Sequence, residues 1–497
     1  MAHSTVSDRH DALTGPHAGA TTATLSSAGS PDWALLNNTA RISDDRNATT
    51  AVCCTKEGQP VAVSFWIADP PAVSQFSVHC PGIDASDLCS DAPPYVICAE
   101  GAFVLFCVTL DESVHHFVYS ARGIPAGKPS LHLLPDPRPR VEAFASQQFG
   151  ILPCGDEHYA VAFLHHQWDS GDQAWKYFAY VFSSEKKAWR RSKEAALDLS
   201  ESDKVLFDSH ASSKQITVGA SSLGWVDLLR GILLVSNLFD DCPVIRFISF
   251  PASRVRITDR RNIVYNAPEY FCDVVCSGDL MRFVEMDFEE PECRTKGKGW
   301  RANTWGRKVC WDDWQKRCTV DVDDVSVDQS YSALLDEETQ QLELKKLLFL
   351  NPTLSVRDDN LLYMMAKVDD EDDKALVIAI DMEQAVLDAL ILVSAKPSYT
   401  ITMYSPCSLP KYYLNNKDNA GADMYNPVDK DYNSQENPQK KMKKRSNRRK
   451  KKQTHVPDRG ATSYLLCFIG CMLIAIIVRV LWPGSSLFIR NQLLSKH

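Results

Sequence analysis

The sequence predicts an all-β body with the architecture of a β-propeller, followed by one C-terminal transmembrane helix. Short apolar runs, rich in aliphatic and β-branched residues, recur along most of the chain between turns rich in Gly, Pro and Asp. No long helical periodicity interrupts them, which argues against parallel β-α-β units. Radial repetition of small sheets lets one domain reach this size without long exposed edges. The alternative architecture is a pair of β-sandwich domains.

The densest of these runs lie in residues 224–251, GWVDLLRGILLVSNLFDDCPVIRFISFP. The pair Arg230-Gly231 predicts a turn, because Gly adopts positive φ without strain. The sequence DDCP at 240–243 predicts a second break. Three strands are therefore expected here, over 225–228, 232–235 and 244–250.

Further strands are predicted on both sides by the same pattern of apolar runs between turn residues. In chain order they cover 61–67, 73–78, 95–99, 103–109, 116–119, 158–165, 177–182, 204–207, 215–218, 270–275, 281–286, 318–327, 361–368, 375–381 and 386–393. An imperfect 3.6-residue repeat of Leu predicts one short helix over 337–349.

Composition divides the chain into five parts. Residues 1–31 are rich in Ser, Thr, Ala and Gly and are predicted to be disordered. A plastid transit peptide is the alternative, which Asp8 and Asp11 disfavour. The remaining parts are the all-β body at 32–414, a disordered linker at 415–462 with a basic run at 440–452, the transmembrane helix at 463–482 and a short tail at 483–497.

The net charge differs between the body and the basic run. The chain has 54 basic and 63 acidic residues, a net charge of −9, and the basic run alone holds ten Lys and Arg. Without that run, 44 basic residues face 63 acidic ones, a net charge of −19. An acidic body is unfavourable for general nucleic-acid binding, so nucleic acid is not expected as a partner.

The 16 cysteines predict reduced thiols in the cytosol or nucleus. No signal peptide is recognisable in residues 1–30. Most cysteines stand within apolar runs, where they act as small buried hydrophobes, and a long chain does not depend on disulfides. The glycosylation sequons at Asn37 and Asn47 are therefore expected to be unused.

An apolar segment near the end of the sequence predicts a single membrane span. Residues 464–482 would extend roughly 28 Å as a helix, close to the ~30 Å hydrocarbon core of a bilayer. Tyr464 and Trp482 would lie at the two interfaces. Arg479 lies close enough to one end to reach the headgroups.

The basic run beside this segment has two interpretations. It consists of Lys440, Lys441, Lys443, Lys444, Arg445, Arg448, Arg449, Lys450, Lys451 and Lys452. As a juxtamembrane flank it would attract anionic lipid and keep the body in the cytosol by the positive-inside bias. As KKMKKRSNRRKKK it also suits nuclear import. The first interpretation predicts a tail-anchored protein of the endoplasmic reticulum or nuclear envelope.

The string WVDLLRGILL stands after LFDSH and before DDCPVIRFISFP. This string is similar to the core signature of a known plant family, the domain of unknown function 1618 (DUF1618) family. Similar flanking segments are DPPAVSQFSVHCPG at 69–82, KPSLHLLPDP at 128–137 and NPTLSVRDDNLLYMMAKVD at 351–369. The resemblance covers roughly residues 33–414. It implies a fold type and a plant origin, but no chemistry and no functional residues.

Known catalytic and nucleotide-binding motifs are absent from the sequence. The adjacent pairs His115-His116 and His165-His166 would point to opposite faces of a strand, so neither pair could chelate one metal. We prefer the interpretation that these histidines lie at a polar rim of the fold or in its core with their hydrogen bonds made.

Two further groups resemble metal sites only in part. Cys272 and Cys276 could share one strand face, but a zinc site needs a second pair, and Cys467 and Cys471 belong to the apolar helix. The acidic residues of 321–328 lack the Gly and the terminal Glu of a calcium loop. No metal, cofactor or catalytic residue is therefore predicted.

Residues 294–317 interleave tryptophans with eight Lys and Arg. This pattern can bind single-stranded nucleic acid by stacking and phosphate contacts. The acidic body favours the other interpretation, in which the tryptophans fill the core of a blade. The four tryptophans are Trp300, Trp305, Trp311 and Trp314.

The expected function is a non-enzymatic protein-interaction or scaffold module held at a membrane by its C-terminal helix. It rests on analogy with propellers that bind partners on their faces or in their central opening. One alternative is a hydrolase or glycan-processing enzyme that uses carboxylates such as Asp227 or Asp381. The other is a soluble nuclear protein imported through its basic run.

Overall fold

The structure, a computed structural model, describes residues 31–84, 88, 93–110, 113–122, 128–137, 148–155, 157–251, 268–288, 299–328, 331, 344, 347–367, 374–394 and 404–413. The chain divides into two compact units. The first contains all of the described strands. Of the second, only 200–211 is described. The predicted N-terminal tail, linker, basic run and transmembrane helix lie outside the described residues.

The first three sheets, or blades, follow one another along the chain. Blade 1 contains β1 (Ala34–Asn37), β2 (Arg41–Ile42), β3 (Ala51–Cys54), β4 (Pro60–Trp66) and β5 (Val73–His79). Blade 2 contains β6 (Tyr95–Glu100), β7 (Phe103–Leu110), β8 (Ser113–Ser120) and β9 (Ser130–Leu133). Blade 3 contains β10 (Gly150–Cys154), β11 (His158–Asp169), β12 (Ala174–Ser183) and β13 (Ala188–Arg191).

Three more blades complete the described sheets. Blade 4 contains β14 (Ala196–Asp198), β15 (Lys214–Val218), β16 (Ser222–Asp227), β17 (Gly231–Ser236) and β18 (Val244–Ser249). Blade 5 contains β19 (Cys272–Ser277), β20 (Leu280–Phe288), β21 (Trp300–Lys308) and β22 (Gln315–Asp321). Blade 6 contains β23 (Leu348–Leu354), β24 (Leu361–Lys367), β25 (Lys374–Asp381) and β26 (Val386–Ser394).

The last strand, β27 (Tyr404–Cys407), returns to blade 1 and closes the ring. It pairs antiparallel with β1, with Ala34 opposite Cys407 and Asn37 opposite Tyr404. Blade 1 therefore takes its innermost strand from one end of the body and its other strands from the other end. This arrangement confirms the predicted all-β propeller, with six blades among the described residues, and replaces the alternative of two sandwiches.

The hydrophobic core lies between neighbouring blades, because each sheet packs its apolar face against the next. Aromatic pairs mark several of these contacts. Phe250, which follows blade 4, stacks on Phe283 of blade 5 with ring centroids 4.2 Å apart. Between blades 5 and 6, Trp300 lies 5.3 Å from Phe349. The predicted helix over 337–349 is wrong at its end, since Phe349 lies in β23.

The central stretch at 224–251 contains three strands, the end of β16 followed by β17 and β18, as predicted. The turn between β16 and β17 is made by Asp227, whose carboxylate accepts the Leu229 N–H at 3.0 Å. Gly231 follows the turn and has the predicted positive φ, 157°, and it has a second role as well. A Cβ there would collide with the carbonyl oxygen of Ile248 on β18, so glycine permits close strand approach. Trp225 is 3% exposed and donates to the Gln148 carbonyl at 2.6 Å.

The strand predicted at 204–207 is wrong: these residues belong to helix α1 (Glu201–Asp208). Ser200 caps the helix, since its hydroxyl accepts the Asp203 N–H at 3.1 Å. Two acidic residues in the first turn also favour the helix N-terminus. The capping signal outweighed the short apolar run on which the strand prediction rested. One further helix, α2 (Pro410–Tyr413), follows β27.

The pairing of Ala34 with Cys407 gives a test of the ring closure. Opposed residues of antiparallel strands have Cα atoms about 4.5–5.5 Å apart, within reach of a disulfide. In the full-length protein, oxidised Ala34→Cys should therefore unfold at a higher temperature than the wild type, with roughly 2–4 kcal/mol of added stability. Thermal unfolding with and without reductant measures this, and Ala34→Ser is the matched control. Equal midpoints under the two conditions would contradict the closure.

Candidate functional site

The innermost strands of the six blades surround a cavity of about 660 Å³. This volume falls within the range of small-molecule sites in proteins, ~300–1,000 Å³. The lining comes from β6, β10, β15, β19, β23 and β27 together with the adjoining turns. We call this cavity the channel. It is the candidate functional site, and its two ends differ in chemistry.

The first end of the channel, the charged end, contains Lys214, Glu269 and Asp273. Lys214 Nζ lies 2.7 Å from Asp273 Oδ1, and the second oxygen of that carboxylate accepts the Leu354 N–H at 3.0 Å. Asp273 is 6% exposed, so these contacts compensate its loss of water. One carboxylate therefore connects blades 4, 5 and 6.

Glu269 stands just before β19 at the same end. Burial raises the pKa of Glu269, and the negative charge of Asp227 raises it further, while Lys214 acts in the opposite direction. The charged end therefore holds two carboxyl groups for one lysine.

The other end, the Glu100 end, lies where β6, β15 and β19 finish. Burial raises the pKa of Glu100 from 4.5 to about 7, although hydrogen bonds from Thr217 and from the Gly101 backbone lower it. The Thr217 hydroxyl also lies 3.1 Å from the Ile151 carbonyl oxygen. A threonine hydroxyl has one proton, so it cannot donate to that carbonyl and to an ionised Glu100 at once.

The shared Thr217 proton explains why the protonated form of Glu100 suits this position better than the ionised form. A protonated Glu100 can donate to Thr217, which then donates to the Ile151 carbonyl. An ionised Glu100 must compete with that carbonyl for one proton. The arrangement therefore agrees with the upward shift of the Glu100 pKa.

Three cysteines surround the Glu100 end. Burial, together with a smaller effect of the Glu100 charge, raises the pKa values of Cys98, Cys276 and Cys407 to about 12. Thiols with such pKa values stay protonated at neutral pH and are poor nucleophiles. Glu100 is therefore the group at this end that changes charge near neutral pH.

The separation of the two ends follows from strand geometry. Thr217 lies three residues after Lys214 on β15, and Cys276 lies three residues after Asp273 on β19. At about 3.3 Å per residue, the ends are roughly 10 Å apart. The rest of the lining is mixed: partly exposed apolar residues such as Ile97 and Val356 stand beside polar ones such as Ser213 and Ser405.

The carboxylates considered for an enzyme from sequence do not belong to the channel lining. Asp227 is buried and pairs with Arg230, at 2.7 Å between Oδ2 and Nη1. Asp381 closes the turn after β25, where its carboxylate accepts the backbone N–H groups of Glu383 and Gln384 at 2.8 and 2.9 Å. Both carboxylates hold turns.

The histidines of both pairs occupy positions that a structural role explains. His115 is buried, 3.8 Å from a carboxylate oxygen of Glu57. Burial lowers the pKa of His116 to about 4, and burial lowers the pKa values of His165 and His166 as well. Within the described part of the chain, no group of three His, Cys, Asp or Glu is arranged to hold a metal ion.

The cysteine pair and the tryptophans occupy blade positions. Cys272 is buried and Cys276 partly buried on β19. Trp300 and Trp305 are buried in blade 5, and Trp314 donates its indole N–H to the Ser249 carbonyl at 2.9 Å. These positions support the core interpretation of the tryptophans. The described part of 294–317 begins at residue 299.

Asp321, in the acidic stretch at 321–328, has a side-chain partner rather than a metal ion. Asp321 accepts the Nε–H of Arg301 on the neighbouring strand at 2.8 Å. A short 3₁₀ turn covers Val322–Asp324. The composition that resembled a calcium loop is thus that of a strand end and a turn.

The predicted membrane segment, with its ends at Tyr464 and Trp482, lies outside the described residues, and so does the basic flank. Among the residues that the structure covers, no helix is long and apolar enough to cross a bilayer.

Comparison with known families gives one match. Residues 225–363 match the sequence profile of the family described as "Protein of unknown function (DUF1618)". This confirms the resemblance over the central blades. No curated protein matches the chain.

Comparison with solved structures gives distant likenesses. The β-propeller domain of the Trilobed protease from Pyrococcus furiosus has a TM-score of 0.27 and 8% identity, over 61% of this chain and 85% of that one. The AtxE2 isopeptidase with Astexin3-dC4 bound has a TM-score of 0.23 and 8% identity, over 74% of this chain.

The chain spans 54%, about half, of that isopeptidase. A mutant sialidase of Trypanosoma rangeli that displays trans-sialidase activity has a TM-score of 0.25 and 11% identity, over 79% of this chain and 61% of that one. Scores this low carry no argument about activity, so the architecture rests on the strand pairing itself.

The raised pKa of Glu100 predicts a pH-dependent stability. A carboxyl group with a raised folded-state pKa stabilises the fold fully below its unfolded pKa, near 4.5, and this contribution is lost as pH rises through about 7. Glu100→Gln should therefore be more stable than the wild type at pH 8, by roughly 2–3 kcal/mol, and the difference should disappear near pH 4.5. Denaturant unfolding at both pH values measures this.

The control for this experiment is Glu185→Gln, an exposed glutamate in the turn between β12 and β13. It should follow the wild type at every pH. A Glu100→Gln curve parallel to the wild-type curve from pH 4.5 to 8 would show that Glu100 titrates normally.

Proposed function

We propose that the body is a non-enzymatic interaction module whose channel receives a small ligand or a narrow segment of a partner. The observation that carries this proposal is the composition of the channel. A cavity of about 660 Å³ has walls of mixed apolar and polar residues and charged groups at both ends. Such a combination is typical of sites that bind and orient a ligand.

A hydrolase is the second candidate, because a carboxyl group with a pKa near 7 could act as a general acid or base. Glycoside hydrolysis in most families needs a second carboxyl group about 5 to 9.5 Å away, set across the same bond. The pKa of Glu100 responds to burial, Thr217 and Gly101, without a contribution from another carboxylate. Because Glu269 belongs to the opposite end of the channel, binding is the better supported function.

A second feature supports interaction with a partner protein. Trp168 and Trp175 are paired across the β11–β12 hairpin, with ring centroids 5.3 Å apart and exposures of 49% and 38%. His166 lies against Trp175 on the same face, at 5.0 Å. Exposed Trp residues are enriched in protein interfaces, where they provide much of the binding energy.

The channel proposal predicts an effect of filling the cavity. Ser405 lines the channel on β27, so Ser405→Trp should occupy part of it. Full-length protein purified from eukaryotic cells should carry a bound species in native mass spectrometry, and this species should be lost from Ser405→Trp. Ser170→Trp, at the exposed tip of the β11–β12 hairpin, is the control and should retain it. Equal occupancy in all three proteins, or none in any, would refute the channel as the site.

We further propose that residues 464–482 hold the body at a membrane of the endoplasmic reticulum or nuclear envelope, with the body in the cytosol. The support is the apolar sequence of this segment, its aromatic ends Tyr464 and Trp482 and the basic run on one side. A soluble nuclear protein imported through 440–452 is the alternative.

This membrane proposal predicts that the full-length protein stays in the pellet after carbonate extraction. A variant without residues 464–482 should move to the supernatant. A glycosylation acceptor appended after His497 should be modified, because that end would lie in the lumen, while Asn37 and Asn47 stay unmodified. Extraction of the full-length protein by carbonate, together with nuclear fluorescence of a tagged version, would favour the alternative.

A further inference from the structure

We infer that the channel recognises a linear aliphatic amine, with an ammonium group against the carboxylate of Glu100 and the methylene chain along the apolar part of the lining. This inference rests on the proposed function of the channel as a binding site. It assigns the chemical class of the ligand from the charge, hydrogen bonding, dimensions and pH response of the channel.

The charged residues of the channel lining determine which sign of ligand charge is favoured. Among the residues that the structure describes, three acidic ones, Glu100, Glu269 and Asp273, line the channel against one basic residue, Lys214. The Lys214 ammonium lies 2.7 Å from Asp273, so its charge is already compensated. The remaining carboxyl groups, one at each end, favour a cation and oppose an anionic ligand such as a phosphate or a carboxylate.

Hydrogen bonding at the Glu100 carboxylate also favours an ammonium group. An ionised carboxylate accepts about four hydrogen bonds, and an ammonium group donates three. The Thr217 hydroxyl is shared with the Ile151 carbonyl oxygen, 3.1 Å away. The ionised form of Glu100 thus has the Gly101 N–H and a shared Thr217 hydroxyl as donors, fewer than it can accept, and an ammonium group would add charge-assisted bonds. A neutral sugar would leave the buried negative charge uncompensated.

The dimensions of the channel limit the length and shape of the ligand. The two ends of the channel are roughly 10 Å apart along β15 and β19. Apolar residues of the lining, such as Ile97 and Val356, are partly exposed and would contact a chain of methylene groups. A linear amine with one ammonium at Glu100 and a second near Glu269 fits this alternation of charged and apolar surface. Either a free polyamine or a lysine side chain of a polypeptide carries this chemistry.

The ionisation of Glu100 predicts how amine binding responds to pH. Glu100 faces Cys98 on its own strand, Cys276 on β19, Cys407 on β27 and the Thr217 hydroxyl on β15. The three thiols remain protonated up to pH values well above 8, and aliphatic amines stay charged until about pH 10. Amine binding should therefore strengthen between pH 6 and pH 8 as Glu100 ionises.

Isothermal titration calorimetry on the full-length protein in detergent tests this inference. The probes are spermidine, a short neutral peptide with one free lysine, and the same peptide with that lysine acetylated. Spermidine should bind about tenfold more tightly at pH 8 than at pH 6, since that is the change in the ionised fraction of a group with a pKa near 7. The acetylated peptide should not bind. Preference between spermidine and the free-lysine peptide identifies the source of the amine.

The variants separate Glu100 from general charge effects. Glu100→Gln should weaken amine binding at pH 8 at least tenfold and abolish its pH dependence, whereas Glu185→Gln should bind as the wild type does. Circular dichroism shows whether each variant is folded. The wild-type pH dependence needs no variant, so the inference can be tested even if Glu100→Gln does not fold.

Two results would overturn the inference: no amine binding by the wild type, or binding that is unchanged by pH and by Glu100→Gln. These results are distinguishable from failure of the channel proposal. If a bound species is lost from Ser405→Trp in native mass spectrometry while no amine binds, the channel is a ligand site and its ligand is of another class.

Discussion

The whole ring depends on the pairing between β1 and β27. Each blade packs on the next, so an open ring would leave two blades with an apolar face in water. The pairing of Ala34 with Cys407 prevents this by joining strands from opposite ends of the body into one sheet. Because this pairing is the most distant in sequence among the described strand pairs, its loop-closure entropy is large. The stability of the body is therefore tied to its two ends.

Closure also determines the chemistry on the ring axis. Six inner strands bring together residues that are far apart in sequence, and Asp273 shows the consequence. Its carboxylate joins Lys214 of one blade to the Leu354 backbone of another at 2.7 and 3.0 Å. Loss of either partner would leave a buried charge without compensation, which costs more than the pair contributes. The charged end is thus part of both the channel and the structure that holds its blades in register.

Local patterns predicted much of the fold, and the reasons for the exceptions are physical. Strands such as 232–235 were predictable because apolar residues and turn residues alternate there. Helix α1 was missed because one capping hydroxyl, at Ser200, outweighed a short apolar run. The channel was not predictable, since Glu100 and Thr217 are ordinary residues at the ends of two strands. Only the closed ring places them together, and their sequence contexts give no sign of the shift in the Glu100 pKa.

The position of Glu100 is unfavourable for stability alone. Burial raises the pKa of this carboxyl to about 7, so at neutral pH the fold bears part of the cost of desolvating a charge. A glutamine would fit the same space and could still donate to Thr217. Groups that weaken a fold in this way are common at binding sites, where the interaction they lack is supplied by the ligand. The ring supplies the enclosure, and an amine at Glu100 would supply the missing charge.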